Sequence, residues 1–306
     1  MTQPRGKTRR YDAPSIADVD ASAVYVFSSH GTEPRSRSAL WAECIAQRPD
    51  QVVEIVSSDS ASVTVSISGT TSTIQLLDAG GLTGLFRGWS TAYLDISGLA
   101  HTVWAPLVRT GLTSLTKFYA TYVEPEEYKR HPSPTSVSQF DLSDGFGGVA
   151  PLPTFARLPG PVDESNSIFV ALLGFEGTRA RFVANSLDPV PTAYALVGLP
   201  GFRPEYPQYA LMSNEEFLAE NKAHANVRYA AAGCPFECMD VLADIHREHP
   251  GAYMYLAPVG TKPHALGAIL YSLDNPQNTE LMYDHPQRKQ DRTRGVGQMH
   301  IYSLKA

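Results

Sequence analysis

Residues 253–271 constrain the fold more than any other stretch of this chain. The apolar run Tyr253-Met254-Tyr255-Leu256-Ala257 reads as a buried strand. A tight turn, Gly260-Thr261-Lys262, follows it, and a helix is expected from about Pro263. Proline suits the first turn of a helix because its missing N–H would be unpaired there anyway. Gly260 lets the backbone turn sharply. Thr261 and Lys262 fall where the free N–H groups and the positive end of the helix point outward. The product is a candidate anion pocket with phosphate as the expected guest. The plain alternative is a strand-to-helix connection with a solvated lysine.

The rest of the chain repeats this grammar. In the first half, strands are expected at 24–28, 52–56, 93–96 and 118–123, and helices at 35–47 and 101–110. Residues 63–67 and 73–77 alternate with Ser and Thr and read as a hairpin across Ser68-Gly69-Thr70. In the second half, strands are expected at 168–173, 193–197 and 227–230, ahead of the one at 253–257. Helices are expected at 178–187 and 235–248, and residues 198–209 read as a Pro- and aromatic-rich loop. Ser213, with Glu216 three residues on, has the pattern of a capping box. Residues 281–283 and 299–304 read as an antiparallel edge pair.

Strands separated by helical patterns imply parallel sheets with crossover helices. The expected fold is therefore α/β: two Rossmann-like halves with mostly parallel sheets. Residues 131–164 are dense in Pro, Gly and Ser. The expected division is a first half at 20–130, a Pro/Gly-rich linker at 131–164, and a ligand-binding half at 165–306.

Composition narrows the partners. The 306-residue chain is 43% hydrophobic and 18% charged, enough to bury large cores and too apolar for disorder. A formal net charge of -6 gives no global attraction to bulk nucleic acid or to an anionic membrane. No apolar run reaches the ~18 residues of a membrane span. Residues 1–10 are basic, have no apolar signal core behind them, and read as a flexible tail. Three cysteines, Cys44, Cys234 and Cys238, make no disulfide framework and are expected as free thiols in a cytoplasmic protein. Cys234 and Cys238 share a helix face but lack the further ligands that zinc requires, so no metal and no cofactor is expected.

In open α/β sheets, ligands bind beyond the carboxyl ends of the strands. The loop Gly174-Phe175-Glu176-Gly177-Thr178-Arg179 is expected there. Gly174 and Gly177 permit close backbone approach, and Arg179 and Arg181 can fork onto a phosphate or carboxylate. Glu176 can pair with an arginine or hold a ribose hydroxyl. The expected ligand-binding set is Gly174, Glu176, Gly177, Thr178 and Arg179 together with Gly260, Thr261 and Lys262. A secondary set in the first half is Ser29, His30, Arg35, Ser97 and His101. Asp95 lies inside a strand, where a buried carboxylate must be paired, and a loop N–H is the plain partner. Residues 288–297 concentrate positive charge and read as a cover for the anion pocket, as a partner contact, or as a solvated hairpin loop. The dinucleotide fingerprint Gly-x-Gly-x-x-Gly, the Walker A spacing and the Gly-x-Ser-x-Gly elbow do not occur at these loops.

On two of these features residues 167–275 resemble the CRISPR-associated Rossmann-fold sensor domains and related bacterial defence proteins. The features are the Gly260-Thr261-Lys262 turn between a strand and a helix and the Gly-rich loop Gly174 to Thr178. The resemblance implies a nucleotide or oligonucleotide-type second messenger as ligand. It also implies a regulatory sensor role in an anti-phage defence complex, with output through a protein partner or a homo-oligomer. The residues themselves leave a hydrolase acting on a nucleotide-like substrate as the alternative, through Glu176, His30 or Asp95, and a structural subunit as a third reading. The lack of a recognised catalytic motif favours binding.

Overall fold

The computed structural model describes residues 6–28, 30–31, 33–135, 137–156, 166–188 and 191–306. They divide into two compact units. The first runs to Glu127 and resumes at Thr293, and the second is Tyr128–Arg292. Both units are α/β. No helix among the described residues is long and apolar enough to cross a membrane.

The first unit contains β1 (Thr8–Tyr11), β2 (Val24–Phe27), α1 (Ala39–Gln47), β3 (Val52–Ser58), β4 (Ser62–Ile67) and β5 (Thr70–Gln75). It continues with α2 (Ala79–Gly84), β6 (Thr91–Asp95), α3 (His101–Ser114) and β7 (Lys117–Val123), and ends on a C-terminal strand, Met299–Lys305. The sheet runs β1, C-terminal strand, β7, β6, β2, β3, β4, β5. Its centre, β7-β6-β2-β3, is parallel, and both flanks are antiparallel. All four residues of β2 are buried, as a strand covered on both faces requires. Trp41 of α1 stacks on Phe27 at 4.9 Å between ring centroids. Burying a side chain of that size contributes roughly 1.5–3 kcal/mol.

The hairpin expectation holds. β4 and β5 pair from Ser62↔Gln75 to Ile67↔Thr70. Ser68 and Gly69 both take positive φ, 47° and 80°, which matches the two-residue turn that follows strand twist. Two expectations are corrected here. Thr8–Tyr11, read as part of a flexible tail, pairs with the C-terminal strand. That strand in turn lies against β7, not against residues 281–283. Periodicity marks a segment as extended but does not name its partner.

The second unit contains β8 (Ser143–Phe146), β9 (Ser167–Leu172), α4 (Gly177–Ala184), β10 (Thr192–Gly198), α5 (Tyr206–Ser213), α6 (Glu215–Glu220) and β11 (Val227–Ala230). α7 (Pro235–Glu248), β12 (Tyr253–Pro258), α8 (Lys262–Asp274), β13 (Thr279–Leu281) and β14 (Pro286–Arg288) complete it. The main sheet is parallel throughout, in the order β11-β10-β9-β12-β13. The chain winds outward from β9 through β10 to β11, then crosses back to β12 on the other side of β9. The topological switch point therefore lies between β9 and β12, where ligand crevices form in such sheets. Phe169, Ala171 and Leu173 join one core with residues of α4, α5 and α6. Ile168, Val170 and Leu172, on the alternate face, are equally buried.

Two further expectations change in this unit. The expected loop at 198–209 already contains the start of α5. Ser213 therefore ends one helix and does not cap the next, and Asn214 takes the cap position of α6. Residues 131–135 and 137–156, expected within a linker, belong to the second unit; 136 and 157–164 lie outside the described residues. β8 pairs antiparallel with β14. Phe140 and Leu142 are buried with Tyr206, against Tyr128, Phe175, Phe202 and Tyr209. Prolines and glycines mark turns, but a few buried aromatics are enough to dock such a segment.

Candidate functional site

At the switch point of the second unit, the loops that follow β9 and β12 meet backbone to backbone. A Cβ on Gly174 would lie 2.6 Å from the Val259 carbonyl oxygen, and one on Gly260 would lie 2.5 Å from that of Leu173. Both glycines are required by this contact, so the room each leaves is filled by protein. Gly260, expected in the ligand-binding set, has a packing role here.

The start of α8 is also largely engaged. Thr261 caps the helix, with its Oγ1 accepting from the His264 N–H at 3.3 Å and donating to the Ala232 carbonyl at 2.9 Å. Pro263 has no N–H, and the Ala265 N–H donates to the Thr261 carbonyl. Lys262 is buried, with 6% of its surface exposed. His264 is fully buried, and burial pushes its pKa down to about 4. Its neutral ring donates from Nε2 to the Ala231 carbonyl at 3.1 Å.

The other loop behaves differently. A cavity of ≈ 350 Å³ opens at the start of α4, lined by Phe175, Glu176, Gly177 and Thr178 among others. Ser213 and Glu216 add to its wall, and the segment from His131 to Phe146 covers it, with Phe140, Ser143 and Asp144 facing in. Gly260, Thr261 and Lys262 are not among the lining residues.

Gly177 begins α4 because nothing larger fits. A Cβ there would lie 1.6 Å from the Ser213 carbonyl oxygen. Glu176 stands at the N-cap, yet its side chain makes no capping hydrogen bond. The Arg179 N–H donates back to the Glu176 carbonyl. The N–H groups of Gly177 and Thr178 have no hydrogen-bond partner among the described residues. They carry the positive end of the helix dipole toward the cavity. Ser213 is 6% exposed, and its buried Oγ has no hydrogen-bond partner among the described residues.

Arg179 is not directed at a ligand. Its Nε and Nη2 each hold an Asp284 carboxylate oxygen at 2.7 Å, and Nη1 donates to the Val259 carbonyl at 3.2 Å. Burial opposes the charge, but the hydrogen bonds and charge of Asp284 outweigh it and hold the guanidinium above its ordinary pKa. The fork expected to grip phosphate instead ties the first turn of α4 to the ends of two other strands. Arg181 is likewise taken, by Glu216 at 2.6 Å and Glu220 at 2.7 Å. Lys289 lies 2.6 Å from Asp141 and 3.6 Å from Asp144. Three carboxylates of the cavity wall, Asp141, Asp144 and Glu216, are thus met by two bases, Lys289 and Arg181. Glu176 accepts from the Ser143 hydroxyl at 2.9 Å and stands 4.0 Å from Arg179.

Of the secondary set, Arg35 and Ser97 are brought together at Val123. A Cβ on Gly31 would lie 3.5 Å from the Cα of Gly98, so the loops after β2 and β6 meet. Asp95 accepts from the Ser97 N–H at 3.0 Å, the Ser97 hydroxyl at 2.5 Å and Trp41 Nε1 at 3.2 Å, the local pairing its strand position calls for. Ser97 Oγ accepts in turn from the Val123 N–H at 2.8 Å. Arg35, 2% exposed, pairs with Glu33 at 2.6 Å and donates to Tyr122 Oη at 2.9 Å and to the Val123 carbonyl at 3.1 Å. His101 is buried beside Trp104. His30 is exposed, 3.3 Å from Glu54. Ser29 lies outside the described residues.

Among the described residues, no group of three or more His, Cys, Asp or Glu side chains is placed to hold a metal ion. Cys44, Cys234 and Cys238 are free thiols. Comparison with protein-family models gives no match, and comparison with curated proteins gives none. Sequence reasoning missed Phe140, Ser143, Asp144, Ser213 and Asp284. The alternation of Phe140 and Leu142 with polar neighbours was the one local sign that 131–146 is structured.

Proposed function

We propose that this chain binds a small phosphorylated ligand of the nucleotide class, and that the site is the cavity at the start of α4. One observation carries this reading: the unengaged N–H groups of Gly177 and Thr178 open into a cavity of ≈ 350 Å³. That volume lies in the range of small-molecule sites. Helix N-terminal amides favour a phosphate through both hydrogen bonds and dipole. Ser213 also lines the cavity, and its buried hydroxyl has no hydrogen-bond partner among the described residues. Phe140 and Phe175, stacked at 4.3 Å, give the wall an aromatic surface suited to a planar base. The resemblance of residues 167–275 to second-messenger sensor domains supports a regulatory role, with output through a partner chain in a defence complex. Binding is favoured over hydrolysis because Asp141, Asp144 and Glu216 are engaged by Lys289 and Arg181.

Calorimetry with inorganic phosphate, mononucleotides and cyclic dinucleotides tests the reading on wild type and Thr178→Glu. The added carboxylate favours the helix but repels an anion. At least one nucleotide should bind wild type, and Thr178→Glu should weaken it by about tenfold or more, since ~1.4 kcal/mol is one decade. Equal binding to both proteins would remove the cavity from the reading.

A further inference from the structure

We propose that the Glu176 carboxylate makes this cavity selective for a phosphate monoester that also carries free hydroxyls, as a ribonucleoside 5′-monophosphate does. The inference rests on the reading of the cavity as a phosphate-ester site and adds what is recognised beyond the phosphate.

The sequence places a glutamate where Ser, Thr, Asp or Asn is the usual choice. Its side chain overshoots its own helix and makes no cap. The side chain is instead 15% exposed and lines the cavity. Oε2 accepts from the Ser143 hydroxyl at 2.9 Å, and Oε1 has no hydrogen-bond partner among the described residues. Arg179, the nearest base at 4.0 Å, has its fork committed to Asp284. An ionised carboxylate accepts only, so what it lacks is a donor. Ser143 shows the kind of donor that suits it, an aliphatic hydroxyl.

Inorganic phosphate brings only its own P–OH as a donor and adds repulsion, with no aliphatic hydroxyl. A sugar phosphate brings both halves. Its phosphate meets the N–H groups of Gly177 and Thr178, and a ring hydroxyl donates to Glu176. Ser213, whose buried Oγ has no hydrogen-bond partner among the described residues, also lines this cavity. Ser143 sits on β8, which belongs to the covering segment, and its hydroxyl occupies Oε2, leaving Oε1 for the ligand's.

The test is calorimetry on the full chain with adenosine 5′-monophosphate, its 2′,3′-dideoxy analogue and inorganic phosphate. Wild type should bind the ribonucleotide about tenfold or more tightly than the dideoxy analogue, the usual size of a lost charge-assisted hydrogen bond. Glu176→Ala should bring that ratio close to one and leave phosphate binding equal or tighter. Ser143→Ala should keep the ratio or raise it. If wild type binds the two nucleotides equally, the hydroxyl inference is overturned and the phosphate site stands. If the ratio survives in Glu176→Ala, another group reads the hydroxyls and the assignment to Glu176 is overturned. If none of the three probes binds, the monoester inference is overturned, and the phosphate-site reading stands or falls on the cyclic dinucleotides.

Discussion

The two units share a way of winding a sheet, and each brings two loops together at its switch point. The outcomes differ. In the first unit the polar groups near the crossing bond to one another. Asp95 is met by Ser97 and Trp41, and Arg35 by Glu33, Tyr122 and the Val123 carbonyl. In the second, one loop pair packs backbone to backbone while the start of α4 keeps two N–H groups open to a cavity. A topological switch point is therefore a place where a site can form, and the side chains decide whether it does. Buried polar groups that satisfy each other specify a core, whereas polar groups left over beside a cavity invite a ligand.

The comparison can be broken most directly at Arg35. If the first crossing is a structural network, Arg35→Ala leaves Glu33 buried with its base removed and costs about 3–5 kcal/mol. Urea unfolding measures this, and a loss below about 1 kcal/mol, the scale of an exposed pair, would show that the network is not structural.

His264 probes the wall of the second crossing through pH. Its folded pKa, about 4, lies below the ordinary 6.5, so the unfolded chain takes up the proton first as pH falls. The stability it contributes is complete above pH 6.5 and is lost progressively toward pH 4. The total is roughly 3 kcal/mol, at about 1.4 kcal/mol for each tenfold change in proton affinity. Denaturant midpoints between those pH values should fall in wild type and fall less in His264→Gln. Parallel curves would remove His264 from the balance.

Ser97→Ala should cost about 1–3 kcal/mol, because the Val123 N–H loses its acceptor and Asp95 one of its donors inside the core. An unchanged thermal midpoint would mean that water or a neighbour replaces the hydroxyl. Thr178→Glu is expected to change stability least, within about 0.5 kcal/mol, since the position is exposed and a negative charge suits a helix start. Its thermal midpoint set beside that of Arg35→Ala sharpens the contrast between a crossing that holds the fold and one that is open to a ligand. A large loss in Thr178→Glu would instead make the start of α4 structural.

Much of the fold was legible beforehand. The apolar run at 253–257, the Ser68-Gly69 hairpin turn and the helix at Pro235–Glu248 all appear where local pattern places them. Such features depend on neighbours in sequence, through strand burial, turn conformation and amphipathic spacing. The pairing of the C-terminal strand with β7 was not legible, because the partner lies about 180 residues away and nothing local encodes it.

For the site, the sequence by itself determined which residues carry chemistry: Glu176, Thr178 and Arg179 near one strand end, Thr261 and Lys262 near another. Only the tertiary structure decided their fates. Arg179 found Asp284, 105 positions along the chain, and became a staple. Lys262 was buried, and Thr261 turned to cap its own helix. Glu176 and Thr178 came to face a cavity roofed by a segment that looked like a linker. The reason is physical. A charged or hydrogen-bonding group serves whichever partner the fold brings within about 3 Å, and that partner is set by packing across the sheet, not by neighbours along the chain.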